Sequence, residues 1–287
     1  QKLDSPILIA PTGGKNLVLK DADETVAEAA AKTNTIMIAA TGPEKLIAEG
    51  SSITWWTNTI GLPSKNSAQT YARRVVDRGA KAITVTVDNP YQSNRDRNNR
   101  NRLDYGDMSA GLPKPGEKRE PRMPAKPAMW KVHTPSMTWQ EIEWLKTAVK
   151  VPIIVKCIMA PEDAELAVQH GADGIVVSNH GGRQLDGVLP TLEALPDVVQ
   201  AVNGKIPVLM DGGIRRGSDI VKALALGAKA VLIGRPPLWG LGAYGQPGVE
   251  RVLEMLKAEC KLSVALAGCP NLSAIHPRLV RRQYRYA

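Results

Sequence analysis

The sequence predicts an α/β chain folded as a (β/α)8 barrel, and three observations carry that reading. Eight short runs rich in β-branched residues recur along the 287 residues, and seven of the eight connections have room for a helix. The runs are apolar almost throughout, as parallel strands buried on both faces must be. Eight such units at roughly 250 residues match the length of a closed barrel. An open doubly wound sheet is the competing architecture. It would more often carry a GxGxxG turn after the first strand, whereas the first turn here reads Pro11-Thr12-Gly13-Gly14-Lys15-Asn16.

The expected strands, in order, cover 6–10 (PILIA), 35–40 (TNTIMIAA without its first two residues), 52–56 (SITWW) and 81–87 (KAITVTV). The second half supplies 152–156 (PIIVK), 174–178 (GIVVS), 206–210 (IPVLM) and 230–233 (AVLI). Between the fifth and sixth strands, PEDAELAVQHGAD has proline and acids in its first turn and glycine at its end, the marks of a capped helix. RRGSDIVKALALGAK repeats the device, with Ser218 or Asp219 near the start and Gly227 as the stop. Residues 89–136 break the pattern, being rich in Pro, Gly, Arg and Asn with almost no apolar period. A connection that long reads as a functional loop or lid inserted into one domain spanning 1–287. It follows the fourth strand and so falls on the face where barrel active sites are built.

Composition narrows the function classes. Lys+Arg 37 against Asp+Glu 28 gives a net charge of +9, which invites a nucleic-acid partner. The basic run from Arg95 to Arg102 lacks interleaved aromatics and any nucleic-acid motif, so none is expected. No apolar run approaches the roughly 20 residues of a membrane span. The opening QKLDSPILIAPTGG lacks the basic-then-apolar pattern of a retained signal peptide, which makes a soluble cytoplasmic protein the default and leaves export after leader cleavage open. Cys157, Cys260 and Cys269 form no CxxC pair, so neither a disulfide framework nor a metal site is expected.

Polar residues close five of the strands, and a barrel brings those ends to one mouth. The fourth strand ends in Thr86-Val87-Asp88-Asn89-Pro90 and the fifth in Lys156. The sixth runs into Ser178-Asn179-His180-Gly181-Gly182-Arg183-Gln184-Leu185-Asp186. Asp211-Gly212-Gly213-Ile214-Arg215 follows the seventh and Gly234-Arg235-Pro236 the eighth. These last two read as a phosphate site, because glycines let the backbone approach an anion and arginines add bidentate donors. His180 is the candidate acid/base, since imidazole titrates near neutrality, and Asp88 is its candidate orienting partner. His133, His170 and His276 lie in a loop, near a helix end and in the tail, and read as structural. Arg183 and Arg95 are candidates for a substrate carboxylate, and Lys156 for negative charge on a cofactor.

SNHGGRQLDG, DGGIRRGSDIVKALALGAKAVLIGRP and TVDNP closely resemble the FMN-dependent 2-hydroxy-acid oxidase and dehydrogenase family, which includes glycolate oxidase, lactate oxidase, mandelate dehydrogenase and flavocytochrome b2. The resemblance is dense over 138–275 and recognisable over 5–101. It implies a TIM barrel that uses FMN to oxidise a small L-2-hydroxy acid to the 2-oxo acid, electrons passing to O2 or to another acceptor. It also implies a homotetramer. On the resemblance, His180 is the base at C2 and Asp88 holds its ring, while Arg183 and Arg95 clamp the carboxylate. Lys156 sits at the N1/O2 side of the isoalloxazine. Pro11, Thr12 and Gly13 line the flavin, with Thr86 and Ser178 adding polar contacts. Asp211, Gly213, Arg215, Gly234 and Arg235 hold the ribityl chain and phosphate.

The sequence also departs from the family. The chain opens at its first strand, without the helical segment and pocket tyrosine that the family carries before it. After the second strand the flavin-contacting serines give way to Ile38-Ala39-Ala40-Thr41-Gly42. At the third strand the family has an aromatic followed by Gln-Leu-Tyr, its Gln touching flavin and its Tyr the substrate. Trp55-Trp56-Thr57-Asn58-Thr59 stands there instead, with Thr57 and Thr59 as replacements or the pair deleted. A flavin- or phosphate-binding barrel with little turnover is therefore the alternative reading.

Overall fold

The computed structural model describes residues 3–40, 53–91, 93–100 and 137–281. Its elements are β1 (Ile7–Ile9), α1 (Ala22–Lys32), β2 (Ile36–Ala39), β3 (Trp55–Thr59), α2 (Lys65–Asp77), β4 (Ile83–Thr86) and α3 (Asp96–Arg100), then α4 (Gln140–Ala148) and β5 (Ile153–Ile158). They continue with α5 (Pro161–Gln169), β6 (Gly174–Val177), α6 (Thr191–Val202), β7 (Val208–Met210), α7 (Gly217–Ala225), β8 (Ala230–Ile233) and α8 (Arg235–Leu266). Each strand pairs in parallel with its neighbour in sequence, and β8 closes on β1 in the register Ile7↔Val231 to Ile9↔Ile233. The expected TIM barrel is therefore the fold.

Strand periodicity builds two cores from this ring, because alternate side chains face opposite sides. Leu8, Ile36, Ile38, Ala82, Ile154, Val176, Leu209 and Leu232 point inward and fill the barrel, with Trp56 packed against them. Ile7, Met37, Ile83, Ile153, Ile175 and Met210 belong to the larger core between strands and helices. Two residues beyond the inward apolar layer, toward the C-terminal mouth, the same faces carry Asn58, Thr84, Lys156, Ser178 and Asp211, all buried. The functional layer thus stands directly on the apolar plug.

One strand expectation is corrected. The third strand is Trp55–Thr59 rather than 52–56. Thr57, Asn58 and Thr59 are buried in it, Thr57 bonded to Tyr71 of α2 and Asn58 to Thr84 of β4. Helix α7 starts at Gly217, so Ser218 and Asp219 lie near its start as expected. Asp219 lies in its first turn, where its carboxylate accepts from the backbone N–H groups of Arg215 and Arg216 at 3.0 Å each. Gly227 ends that helix as expected. Its φ of 107° and a Cβ position 2.7 Å from Val199 both exclude a side chain.

The part of the expected 89–136 insertion at 101–136 lies outside the described residues, as do Thr41, Gly42 and His133. Its start carries the short α3. Among the described residues no helix is long and apolar enough to cross a membrane.

Candidate active site

A cavity of about 870 Å3 occupies the barrel mouth. Pro11, Thr12 and Gly13 from the β1 end, Thr86, Lys156, Asp211 and Gly213, and Gly234 with Arg235 all border it, together with His180, Arg95, Arg183 and Arg215. Thirteen expected site residues are thereby brought to one wall. Asp88 and Ser178 stand behind it.

His180 leaves β6 in a left-handed turn, with φ of 55° followed by Gly181 at 72° and Gly182 at 71°. The turn is fixed where the His180 N–H donates to Ser178 Oγ at 3.1 Å. Asp88 Oδ1 lies 2.9 Å from Nδ1 of the ring, so Asp88 does hold His180. With Nδ1 engaged, proton transfer into the cavity falls to Nε2.

Lys156 lies inside β5 rather than at its end, because a bulge between Lys156 and Ile158 carries the strand onward. Its ammonium pairs with Asp211 Oδ2 at 2.9 Å and donates to Ser178 Oγ at 2.9 Å. Burial opposes that charge, but the Asp211 carboxylate outweighs it and carries Lys156 above the ordinary lysine value. Ser178 was expected at the cofactor. Its hydroxyl oxygen accepts from the Lys156 ammonium and from the His180 N–H.

The loops after β4 and β6 are stitched together by Gln184, which the sequence reading passed over. Its Nε2 donates to Asp88 O at 2.9 Å and Asn89 Oδ1 at 2.7 Å, and its Oε1 accepts from Arg95 Nη2 at 2.9 Å. Arg95 is thus held at the cavity through the NHGGRQLD segment itself. Among the described arginines of the basic run, Arg95 is the one on the cavity wall.

Arg215 and Arg235 flank the glycine turns after β7 and β8. Burial first and the nearby Arg235 charge second draw the Arg215 guanidinium below its ordinary value. Its charge also stacks on the Trp239 ring at 4.9 Å. Helix α8 follows Gly234, and because Pro236 and Pro237 carry no N–H its start offers this place the positive end of the helix dipole and the N–H groups of Gly234 and Arg235. Asp211 Oδ1 is buried there without a hydrogen-bond partner. Two cations pressed together, a helix start and an orphan acceptor describe a cradle for a phosphorylated, hydroxyl-bearing group.

Asn58, Ile60 and Lys15 also line the cavity, with no site role expected for them from the sequence. Thr57 points outward to Tyr71 Oη at 2.7 Å, so Asn58 on β3 and Ile60 just past its end take the places on the cavity wall. Asn58 Oδ1 accepts from Thr84 and Thr86 at 2.9 and 2.8 Å, which leaves its amide NH2 outside both bonds. Alternation from Trp56, which packs inside the barrel, was the signal that could have found them. Lys15, buried beside β1, donates to Thr12 O at 2.5 Å and pairs with Asp23. The structural reading of His170 is supported by its stacking on Trp139 and its contact with Glu143 at 2.7 Å.

The profile of the FMN-dependent dehydrogenase family matches residues 1–282. The 2-hydroxyacid oxidase 2 of Mus musculus is 39% identical over 287 residues, covering 98% of this chain and 80% of its own. An L-lactate oxidase from a Nostoc species is 41% identical, covering 96% and 79% respectively. Among solved structures, a mandelate oxidase superposes with a TM-score of 0.83 at 36% identity, covering 96% of this chain and 79% of its own.

Proposed function

The chain belongs to the FMN-dependent dehydrogenase family, and from that premise we propose how its residues divide the work of oxidising an L-2-hydroxy acid. It is an FMN-dependent oxidoreductase of 2-hydroxy acids. The residues present fit the cofactor: the unpaired Asp211 Oδ1 suits a ribityl hydroxyl, and Arg215, Arg235 and the α8 start suit the phosphate. Bound FMN supplies the two-electron acceptor.

His180 Nε2 takes the proton at C2, and the Asp88 carboxylate balances the imidazolium that forms. Arg95 and Arg183 hold the substrate carboxylate in bidentate fashion. Lys156 keeps a fixed positive charge at the inner wall, and Asn58 donates from the opposite side of the barrel. The observation that carries this assignment is the His180–Asp88 contact at 2.9 Å, on the wall of the same cavity as Lys156 and both carboxylate arginines.

The low-turnover alternative rested on the missing Gln and Tyr. Those two family residues are two apart in sequence, and the pair of that spacing on the cavity wall here is Asn58 and Ile60. One polar contact is therefore kept in shorter form, and the hydroxyl is replaced by an apolar wall. We further propose O2 as electron acceptor, in line with the oxidases it resembles, and a homotetrameric assembly. FMN-loaded protein mixed anaerobically with glycolate, L-lactate or L-mandelate tests the reading. Loss of the flavin's visible absorbance with at least one of them is expected, and oxygen uptake on readmitting air checks the acceptor. Tight FMN binding without bleaching by any would leave the low-turnover barrel standing.

A further inference from the structure

Behind the His180 ring, three metal-ligating side chains converge from different strands. Asp88 follows β4, Cys157 sits in the β5 bulge and His180 follows β6. Cys157 Sγ lies 3.7 Å and Asp88 Oδ1 2.9 Å from the same His180 Nδ1, and all three ligand atoms lie within 4.8 Å of one another. A tetrahedral zinc with ordinary bond lengths spaces its ligands roughly 3.4–3.6 Å apart. The N···S separation is already near that value, and the N···O pair needs to open by about 0.5 Å.

The backbone independently marks Cys157. Its φ is 78°, in the left-handed region where a side chain is strained and glycine is not. The bulge turns this thiol inward, to 3.6 Å from Ser178 Oγ as well as beside the imidazole. No step of the proposed chemistry uses it. Strained backbone that seats an unused soft ligand against an imidazole nitrogen calls for a role in binding.

The geometry points to an inhibitory site for a thiophilic divalent cation of the zinc class, held by Asp88 Oδ1, Cys157 Sγ and His180 Nδ1, with a water as the fourth ligand. On binding, the Cys157 S–H bond breaks, its proton leaves to solvent and an S–metal bond forms, with no change of oxidation state. Lys156 stands 3.5 Å from Sγ and opposes a cation, but its ammonium is committed to Asp211 and Ser178. The carboxylates of Asp88 and Asp211 with one thiolate balance that ammonium and a divalent ion. The metal takes Nδ1 from Asp88, so the base loses the partner that orients it. That inhibitory consequence rests on the role proposed for His180, whereas the binding does not.

Equilibrium dialysis of untagged, FMN-loaded protein against zinc chloride, beside steady-state turnover at the same zinc concentrations, tests it. Wild type is expected to retain one zinc per chain and to lose activity in parallel, both reversed by a chelator and neither produced by magnesium. Cys157→Ser and Cys157→Gly are each expected to weaken both effects about tenfold or more, the glycine variant being free of backbone strain. Zinc held equally by wild type and both variants, or not held by any, would overturn the site. Cysteine-dependent zinc binding with undiminished turnover would confirm the site and overturn its inhibitory effect, and with it the role of His180 as base.

Discussion

Replacing Asp88 by asparagine removes the charge behind the base and keeps its shape. Asp88 Oδ1 and His180 Nδ1 are 2.9 Å apart, with side chains 20% and 26% exposed. With charge centres about 4 Å apart and an effective dielectric near 20, the carboxylate stabilises the forming imidazolium by about 4 kcal/mol at most. Solvent reaching the exposed part of the pair reduces this to about 2–3 kcal/mol, or roughly 30- to 160-fold in rate. The assay is single-turnover bleaching of the FMN-loaded protein by a saturating L-2-hydroxy acid without oxygen. The rate constant for Asp88→Asn is expected to fall by that factor. The substrate concentration giving half the maximal rate should move less than about threefold, because Arg95 is held through Gln184, which bonds the Asp88 backbone carbonyl rather than its side chain. A variant that bleaches within about threefold of wild type would refute the assignment of Asp88.

Other sites give independent tests. Arg215→Ala and Arg235→Ala should each weaken FMN by about 10- to 100-fold while leaving riboflavin affinity nearly unchanged, measured by quenching of flavin fluorescence, because both guanidiniums are assigned to the phosphate. Burial pushes the Cys157 thiol from 9.0 up to about 12. Its folded value lies above its unfolded one, so the stability it contributes is complete below about pH 9 and is lost as pH rises toward 12. Between about pH 8 and pH 10.5, wild type should therefore lose roughly 2 kcal/mol more than Cys157→Gly in urea unfolding, and equal losses would contradict a buried neutral thiol. At Gly217 an added Cβ would sit 2.1 Å from the Glu259 carbonyl carbon and 2.2 Å from Cys260 N. Gly217→Ala should thus part α7 from α8 at a cost of about 3 kcal/mol, and an unchanged urea midpoint would show that the helices slide apart freely.

Much of this arrangement is legible along the chain, for an identifiable reason. Strands such as PIIVK and GIVVS are apolar on both faces because one face meets helices and the other the barrel plug, and hydropathy alone finds them. The strand ends at Asp88, His180, Asp211 and Arg235 are also legible, since polar residues abutting such runs can only emerge at the mouth. Hydropathy fails where polar side chains are buried in the ring itself. Thr57 bonds Tyr71 and Asn58 bonds Thr84 and Thr86, partners that no local window contains, and so carry β3 through the sheet. The bulge at Cys157 leaves no trace in composition, and the Gln184 stitch joins loops nearly a hundred residues apart. What stays hidden in the sequence is therefore contact across the barrel, and this is what sets Asn58, Cys157 and Arg95 in place.

The central claim is that His180 opens the reaction at C2 while the rest of the wall binds and positions. Single-turnover bleaching of FMN-loaded wild type and His180→Ala by the same L-2-hydroxy acid, at matched flavin occupancy, tests it most directly. General-base catalysis contributes on the order of 10²–10⁴-fold. A loss of that size with FMN affinity retained is the expected result, and a variant that bleaches as fast as wild type would contradict the account.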